Sequence, residues 1–359
     1  MTVTREDVTR TLSQIATPDG GDLVSSDMIR ALVVDGGDVR FVIEVPSAEI
    51  ARVSEPLRAA AEAAVARLPG AARVQAVLTA PTSEKAPPAL KVGGHPKPQE
   101  GPMRVPGVAR VIAIASGKGG VGKSTVSSNL AVALARQGRK VGLLDADIYG
   151  PSQPRMMGVS QRPASPDGKR ILPLKAHGVT MMSIGLMLPE DKAVVWRGPM
   201  LMGALQQMLG QVEWTHHAGG PLDVLIVDLP PGTGDVQLTL CTKAVVDGAI
   251  VVSTPQDVSL LDARKALDMF ATVKTPVLGL IENMSLFHCP ECGHEAHIFG
   301  HGGVATEAKR LGLPFLGALP IDLDTRLAGD AGRPVAAGTG AMADAFAVLA
   351  RKMIEDGLA

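Results

Sequence analysis

Two short segments of this 359-residue chain have the composition of ligand-binding sites. The segment SGKGGVGKST, residues 116–125, contains the pattern G-x-x-x-x-G-K-[ST] and an additional lysine, Lys118. The segment HCPECGHEAHIFGHGG contains the pair Cys289 and Cys292. The first pattern is typical of a phosphate-binding loop, and the second supplies two soft ligands for a metal. The sequence therefore predicts a nucleotide site and a metal site in one chain.

The glycine-rich segment has the flanking sequence that a phosphate-binding loop requires. The apolar run VARVIAIAS precedes it and STVSSNLAVALARQ follows it, which predicts a strand, a loop and a helix in that order. Backbone N–H groups of the loop and the positive end of the helix dipole favour phosphate oxygens. We expect Lys123 to reach the β- and γ-phosphates and the Ser124 hydroxyl to bind Mg²⁺. The loop residues predicted to bind nucleotide are Gly117, Lys118, Gly119, Gly120, Val121, Gly122, Lys123, Ser124 and Thr125.

Carboxylates follow two further apolar strands. RKVGLLDADIYGPS has Asp145 and Asp147 at the end of one strand, and LDVLIVDLPPGTGD has Asp228 at the end of another. The carboxyl ends of parallel strands form the sheet edge where nucleotides bind. We therefore predict that Asp228 holds Mg²⁺ through water and that the Gly232 N–H in the following loop senses the γ-phosphate. An alternative for Asp147 is that it merely caps a turn.

This chain resembles the MinD/Mrp class of deviant Walker ATPases. The resemblance is carried by the combination of the glycine-rich loop, DADIYGPS, DLPPGTGD, ENMS and the cysteine pair. Within that class they resemble the Mrp/ApbC family of ATP-binding iron–sulfur cluster carriers, over about residues 105–355. The resemblance implies that Lys118 crosses a dimer interface to the partner's nucleotide and that Asp145 or Asp147 positions the attacking water. It also implies that Asn283 contacts adenine, whose edge an amide can pair with by donating and accepting together. Without the resemblance, Lys118 is a solvated surface lysine and Asn283 is a turn former at a strand end.

The cysteine pair supplies half of the ligands that a tetrahedral Zn²⁺ ion or a four-iron cluster needs. If two subunits pair about a twofold axis, Cys289 and Cys292 from each make a Cys₄ set at the interface. The resemblance supports a bridging [4Fe–4S] cluster. The alternatives are a strained Cys₂His₂ zinc site that also uses His294 and His297, a redox dithiol, or a structural hairpin. Cys241, within VQLTLCTKAV, is predicted to be a small buried residue of a helix.

The elements that must position these residues form two domains. After residue 107, short apolar strands alternate with helical segments, which predicts a P-loop NTPase-like α/β fold with a mostly parallel sheet and helices on both faces. The predicted strands are VIAIAS, VGLLD, VLIVD, AIVVSTP, VLGLIEN and FLGALP. Residues 1–80 predict a small α+β domain with three strands, two of them joined through Gly-Gly, and the resemblance implies that it is an iron–sulfur-assembly-type domain. Residues 81–107, rich in Pro, Gly and Lys, predict a linker, which leaves 108–359 as the ATPase domain.

Composition predicts a cytoplasmic protein without a nucleic-acid or membrane partner. The chain has three cysteines and a net charge of −1, so neither a disulfide framework nor a basic binding surface is indicated. The first residues lack an apolar signal region, and no run approaches the length of a membrane span. The methionines, among them Met181, Met182 and Met187, are predicted to fill the core or an interface. VVWRGPMLMGALQQML, with Trp196, is predicted to be either part of a dimer face or part of the core.

The resemblance implies a homodimeric, slow ATP hydrolase that carries a labile cluster and passes it to apoproteins, with assembly scaffold proteins as further partners. ATP is favoured over GTP because the sequence lacks an N-K-x-D motif. The alternatives are a MinD/ParA-like positioning ATPase and a zinc-stabilised targeting ATPase. The first needs a basic amphipathic terminal helix or a basic patch, but MADAFAVLARKMIEDGLA carries only Arg351 and Lys352 as cations. The second needs a methionine-rich helical insertion, whereas the methionines here are scattered.

Overall fold

The computed structural model describes residues 3–17, 20–45, 50, 54–79, 101–187 and 198–359, with the backbone alone for 198–201. The chain divides into two compact units, residues 1–84 and 85–359. Most of the predicted linker 81–107 lies outside the described residues, and so does Trp196, which was predicted to lie in a dimer face or in the core. The proposed domain boundaries at residues 80 and 107 therefore stay a prediction.

The first unit is a small α+β fold. Its elements are α1 (Arg5–Leu12), β1 (Ile29–Asp35), β2 (Asp38–Glu44), α2 (Glu55–Ala66) and β3 (Arg73–Thr79). The strands are ordered β1-β2-β3, with β1 antiparallel and β3 parallel to β2. Gly36 and Gly37, with φ of 54° and 100°, form the β1–β2 turn, in backbone conformations that glycine adopts most readily. The predicted hairpin and third strand are confirmed.

The core of this unit buries one face of each helix and alternate residues of β2. Val8 and Leu12 of α1 and Val65 of α2 are fully buried, and they join one apolar cluster with Phe41 and Ile43 of β2. The two helical residues Val8 and Leu12 are four apart, so they lie on one face of α1, and the two strand residues alternate with exposed or half-buried neighbours. The three cysteines of the chain all lie in the second unit.

The second unit is built on a nine-stranded sheet. Its strands are β4 (Val108–Ala115), β5 (Val141–Asp145), β6 (Leu174–Ala176), β7 (Val179–Ser183), β8 (Leu222–Asp228), β9 (Gly248–Ser253), β10 (Val277–His288), β11 (Glu295–Ala296) and β12 (Phe315–Ile321). Its helices are α3 (Lys123–Arg136), α4 (Gln153–Met156), α5 (Gly198–Gly210), α6 (Asp235–Lys243), α7 (Asp257–Thr272), α8 (Gly303–Leu311), α9 (Leu323–Asp330) and α10 (Ala341–Glu355), with 3₁₀ turns at Ile184–Leu186 and Val335–Ala337.

The sheet is mostly parallel, as predicted. Its order is β11-β10-β9-β4-β8-β5-β7-β6, with β12 also beside β10. All six predicted strands are present and pair in parallel with one another. The sequence analysis did not predict β6, β7 or β11. The short strand β6 pairs antiparallel with β7, and the short strand β11 pairs antiparallel with β10.

Strand β4 shows why its apolar run has no polar alternation. Val111, Ala113 and Ala115 belong to one buried cluster, and Ile112 and Ile114 belong to another. The first cluster contains residues of α5, α6, α7 and α8, and the second contains residues of α3 and α10. Because successive side chains of a strand point to opposite faces, a sheet covered on both faces needs apolar residues at every position.

Apolar side chains of β7 and of the last helix are part of this core. Met181 and Met182 are fully buried in β7, which confirms that they fill the core. The last helix, α10, buries Phe346, Leu349 and Met353 in the second cluster, so its apolar face is already covered inside the unit. No helix of the described residues is both long enough and apolar enough to cross a membrane.

Candidate nucleotide site and cysteine hairpin

The phosphate-binding loop connects β4 to α3, as the sequence predicted. Gly117 lies so close to α7 that a Cβ atom there would overlap the backbone of Asp262. Gly122 has φ of 82° and precedes α3, and a Cβ atom there would overlap the Asn283 amide. Both glycines are therefore required by close packing, and the loop is held between α7 and β10.

Lys123 and Asp228 form a buried ion pair across this loop. The Lys123 Nζ lies 2.6 Å from Asp228 Oδ1, and the two side chains are 6% and 0% exposed. Ser127 Oγ donates to the same oxygen at 2.8 Å, and Gln153 Nε2 donates to Asp228 Oδ2 at 2.8 Å. A buried charge is tolerated when it is paired and hydrogen-bonded, and both carboxylate oxygens of Asp228 meet that condition.

Asp145 lies beside Asp228 because the two residues are register partners at the ends of β5 and β8. It is fully buried and accepts bonds from Asp147 N at 3.2 Å, Gln153 N at 3.1 Å and Ser183 Oγ at 3.0 Å. Burial, together with the adjacent Asp228 carboxylate, raises the pKa of Asp145 to about 7. The strand ends thus bring two carboxylates together at the sheet edge, as the sequence predicted.

Asp147 lies closer to solvent than Asp145. It is half-buried, its pKa is raised by partial burial, and the Lys123 ammonium opposes that rise. Its Oδ1 accepts from Gly150 N at 3.3 Å, so it does cap a turn. It also lines a cavity of about 460 Å³ together with Tyr149 and Pro231. The turn-capping alternative and a site role are therefore compatible.

Gly232 does not present a free N–H in this structure. It has φ of 89°, and its N–H donates to the Ser116 carbonyl at 2.9 Å. A loop-to-loop hydrogen bond already uses the group in this arrangement, so its contact with a γ-phosphate stays a prediction. Ser116 Oγ in turn donates to the Lys118 carbonyl at 2.9 Å. The Lys118 side chain is half-buried and has no ion-pair partner within the described part of the chain.

Asn283 lies inside β10 and not at a strand end, so the turn-former alternative is wrong. Its Nδ2 donates to the Val121 carbonyl of the phosphate loop at 2.9 Å, and the side chain is 8% exposed. One amide hydrogen is thus already bonded to the loop. The residue nevertheless lines a cavity of this unit, so it remains next to a space for a ligand.

That cavity has a volume of about 800 Å³, within the range of small-molecule and cofactor sites. Gly122 and Thr125 form its wall on the phosphate-loop side, and Pro320 and Asp322 form another part. Asp322 also caps α9 by accepting from Thr325 N at 2.7 Å, which fixes the segment that follows β12. The cavity adjoins the phosphate loop and has a mainly apolar lining, which suits the flat face of a nucleotide base.

The cysteine pair lies in the hairpin between β10 and β11. Cys289 N donates to the His294 carbonyl at 2.9 Å, and Gly293 N donates to the Cys289 carbonyl at 2.8 Å. Cys289 is half-buried and Cys292 is exposed. Hydrogen bonds from the N–H groups of Cys292 and Glu291, and from the Cys292 thiol, lower the pKa of Cys289. The turn therefore favours a thiolate at Cys289, the form that binds metals.

The histidines of this segment do not complete a zinc site with the two cysteines. His297 Nδ1 lies 3.4 Å from the Ser285 carbonyl, and the centroid of its ring lies 4.4 Å from that of His301, with the two planes tilted by 49°. Within the described ranges, no group of three or more His, Cys, Asp or Glu side chains is arranged to hold a metal. The geometry thus does not support the Cys₂His₂ alternative. Cys241 is a partly buried residue of α6, as predicted, and burial raises its pKa.

Three side chains of the nucleotide site were not found by sequence analysis: Ser127, Gln153 and Ser183. Ser127 could have been found, because it follows Lys123 by four residues and so shares its helix face. Gln153 and Ser183 belong to no motif, and they reach the site because β5, β7 and β8 are neighbours. Gln153 connects three parts of it, since it also donates to the Ser124 carbonyl at 3.0 Å.

Comparison with known families agrees with this geometry. Residues 107–354 match the family described as ParA, NUBPL iron-transfer P-loop NTPase, and residues 5–77 match the iron–sulfur cluster assembly protein family. The chain belongs to the iron–sulfur cluster carrier family of P-loop NTPases. The Mrp/ApbC resemblance deduced from the motifs is thereby confirmed, and membership in this family implies nucleotide binding.

Relatives in the family span several groups of organisms. An iron–sulfur cluster carrier protein of Synechocystis is 44% identical over 333 residues, which is 91% of this chain and 90% of that protein. A carrier protein of Haemophilus influenzae is 51% identical over 252 residues, 69% of this chain and 67% of that protein. The iron–sulfur cluster transfer protein NUBPL of Dictyostelium discoideum is 45% identical over 244 residues, 67% of this chain and 74% of that protein.

Solved structures support the fold. A nucleotide-binding protein of Archaeoglobus fulgidus, determined in complex with ADP and with cobalt found in it, is 39% identical with a TM-score of 0.55 over 64% of this chain and 89% of that one. The cell division ATPase MinD of Pyrococcus furiosus is 23% identical with a TM-score of 0.51 over 69% of this chain and 99% of that one. The MinD likeness concerns the fold alone, and it confirms the predicted P-loop α/β class.

Proposed function

We propose that this chain is a homodimeric ATPase that carries a labile iron–sulfur cluster as cargo and transfers it to apoproteins. One observation carries the proposal: an intact phosphate loop and a hairpin with two thiols, Cys289 and Cys292, occur in one unit, and no third ligand lies beside the thiols in the described residues. A four-iron cluster needs four ligands, so a second copy or a client protein must complete the site. An open site of this kind suits a cluster that is passed on.

The loop and the larger cavity support ATP as the nucleotide. In the proposal the phosphates lie on residues 117–125, and the base and ribose occupy the cavity beside Asn283. The Lys123 ammonium, now 2.6 Å from Asp228, would move to the β- and γ-phosphates. Asn283 keeps its bond to Val121, so its second amide hydrogen and its oxygen remain available for the adenine edge.

The residues at the sheet edge fit a magnesium ion. Asp145 and Asp228 are buried neighbours, and the raised pKa of Asp145 reflects the repulsion between them together with burial. A divalent cation would relieve that repulsion. The Ser124 hydroxyl would bind Mg²⁺ directly and Asp228 would hold it through water. When bound, the ion neutralises phosphate charge.

Asp147 is better placed than Asp145 to position the attacking water. It is half-buried and lines the smaller cavity, whereas Asp145 is fully buried and its oxygens already accept three hydrogen bonds. Asp145 then has a positioning role, because two of those bonds hold the backbone at Asp147 and Gln153. For Gly232 to contact a γ-phosphate, its N–H must leave Ser116, so we expect the loop after β8 to move when ATP binds.

Exposed apolar side chains near the phosphate loop support a second copy of the chain as a partner. Tyr149 is 70% exposed at the smaller cavity, and Val258 and Leu261 are 64% and 54% exposed in the first turns of α7. Helix α7 packs directly against Gly117. In the proposal a second copy covers this face, which removes apolar area from water, and Lys118 extends to the partner's nucleotide.

The same dimer would bring two cysteine hairpins together and complete a Cys₄ set for a [4Fe–4S] cluster. The N-terminal unit, which contains no cysteine, would contact assembly scaffold proteins or client apoproteins in the cytoplasm. Neither alternative function gains support from the geometry. The apolar face of α10 is buried within its own unit, and Met181 and Met182 are core residues of a strand and not part of a methionine-rich helical insertion.

The first test is anaerobic reconstitution with iron and sulfide, read by visible absorption, metal analysis and mass in solution. Wild type should bind about four irons and four sulfides per dimer. Cys289→Ala and Cys292→Ala should each lose the cluster and keep nucleotide affinity. Cys241→Ala is the matched control, because it removes the thiol outside the hairpin, and it should bind iron as wild type does. Full cluster retention in both hairpin variants, or stoichiometric zinc per monomer without stable iron, would overturn the proposal.

A further inference from the structure

Strand β10 connects the nucleotide site to the cysteine hairpin. Asn283, in its middle, donates to the Val121 carbonyl of the phosphate loop, and Cys289 directly follows its last residue, His288. A strand rises about 3.3 Å per residue, so the six steps from Asn283 to Cys289 span at most about 20 Å. The two sites are thus connected through one continuous segment of backbone.

The strand is irregular between these two points. Asn283 pairs with Leu319 and Phe287 pairs with Ile321, so four steps along β10 lie opposite two steps along β12. Within this bulge, Met284 has φ of 57°, in the left-handed region that residues with long side chains rarely adopt. Such a residue is held in place by its surroundings and can be released when they change.

The wall of the larger cavity runs along this bulge. Met284, Phe287 and Ile298 line the cavity together with Gly122 and Asn283. Phe287 pairs with Ala296 at the base of the hairpin, so it is both a wall of the cavity and a part of the hairpin stem. A molecule that fills the cavity therefore contacts the phosphate loop and the hairpin stem together.

The segment that returns from the hairpin is fixed to β10. The Glu282 carboxylate, 2% exposed, accepts from Gly302 N at 3.3 Å and Val304 N at 2.9 Å. Ser285 Oγ donates to the Leu319 carbonyl at 3.1 Å and holds the bulge against β12. These contacts attach the bulge to β12 and the returning segment to β10.

We propose that Met284 and Phe287 are positioning residues that couple a nucleotide in the cavity to the cysteine hairpin within a single chain. The base packs against both side chains, favours one form of the bulge and thereby sets the accessibility of Cys289 and Cys292. A ligand shifts such an equilibrium only through contacts that differ between the two forms, and these side chains provide them. The inference rests on the proposed nucleotide function but does not require a dimer.

The experiment measures how fast iodoacetamide alkylates Cys289 and Cys292 in the full chain, with and without saturating MgADP. Cys241→Ala is the background, and peptide mass spectrometry assigns the modified thiol. Calorimetry follows ADP binding, and reconstitution follows cluster binding. We expect MgADP to change the alkylation rate by about fivefold or more. In Phe287→Ala and in Met284→Gly, which fits a positive φ without a side chain, ADP should bind more weakly because packing contacts are lost, and the response should disappear at MgADP concentrations that calorimetry shows to be saturating for each variant.

Leu311→Ala is the matched control, because it truncates an exposed apolar side chain that does not line the cavity, and it should respond as wild type does.

Loss of the response in at least one variant that still binds ADP supports the coupling. If wild type binds MgADP without a change in alkylation, or if both variants keep the full response, the coupling is refuted while the carrier function stands. If wild type does not bind MgADP, the nucleotide function fails and the coupling fails with it. Loss of cluster binding in wild type would instead count against the cargo assignment alone.

Discussion

The phosphate loop and the cysteine hairpin belong to the same unit but are built in opposite ways. Around the loop, Lys123 is 6% exposed, Asp145 and Asp228 are fully buried, and all four carboxylate oxygens accept hydrogen bonds. In the hairpin, Cys292 is exposed and Cys289 is half-buried, and they are held mainly by bonds within their own turn.

The difference indicates that the nucleotide site is part of the folded core and that the cysteine site is accessible to solvent. Lys123, Asp145 and Asp228 are packed into the core, so changes at these residues should reach the stability of the whole unit. The hairpin contributes few buried groups, so changes there should affect metal binding and little else. Both tryptophans, Trp196 and Trp214, lie in the second unit, and their fluorescence during urea unfolding reports on its stability.

The largest effect on stability is expected from Lys123→Ala. Removal of the ammonium leaves the Asp228 carboxylate buried without its cation, which should lower the free energy of unfolding of the apoprotein by about 3–5 kcal/mol. Lys118→Ala, in the same loop, removes a lysine without an ion pair and should change it by less than about 0.5 kcal/mol. Adding Asp228→Asn to Lys123→Ala should restore part of the loss. Equal losses in the two single variants would contradict the buried ion pair.

The pH dependence of stability should reveal Asp145. Its pKa is about 7 in the fold and 3.8 ordinarily, so between these values the folded chain holds a proton that the unfolded chain has released. Stability from this group is therefore highest at the acid end of that window and falls as the pH rises through about 7, by roughly 2–4 kcal/mol. Urea unfolding from pH 5 to 8 should show a flatter profile for Asp145→Asn than for wild type. Parallel profiles would show that Asp145 does not titrate in this range.

Two glycines of the loop should respond differently to the same added methyl group. Gly117→Ala places a Cβ atom into the Asp262 backbone and should lower the free energy of unfolding by about 1–3 kcal/mol. Gly119→Ala is the matched control, because the nearest atom to its Cβ would be 3.9 Å away, and it should change stability by less than about 0.5 kcal/mol. If the two apoproteins unfold at the same urea concentration, the contact between the loop and α7 is not tight.

The smallest effect on stability is expected in the hairpin. Gly293 has φ of 70° between Cys292 and His294, and Gly293→Ala should cost about 1–2 kcal/mol in urea unfolding. It should nevertheless weaken retention of a reconstituted cluster, because it disturbs the turn that positions both thiols. Glu291→Ala, which leaves the backbone N–H in place, should change neither quantity. A loss of several kcal/mol in Gly293→Ala would mean that the hairpin is an integral part of the fold.

Several features could be predicted because neighbouring residues in the sequence encode them. The phosphate loop is a contiguous pattern, the six long parallel strands are contiguous apolar runs, and Cys289 and Cys292 are three residues apart. The short strands β6 and β11 were missed because they hold only three and two residues, too few for a pattern. The hydrogen bond from the Gly232 N–H to the Ser116 carbonyl could not be predicted, since it joins two loops far apart in the sequence.

The sequence by itself determined the family, the fold class and the residue types that can bind nucleotide and metal, because those depend on local spacing and periodicity. Only the tertiary structure decided how they are connected. Gln153 reaches Asp228 across 75 positions, and Asn283 reaches Val121 across 162. The bulge at Met284 likewise depends on pairing with β12. Such contacts arise where strands become neighbours in a sheet, and strand order is set by the packing of the whole unit, which no local pattern records.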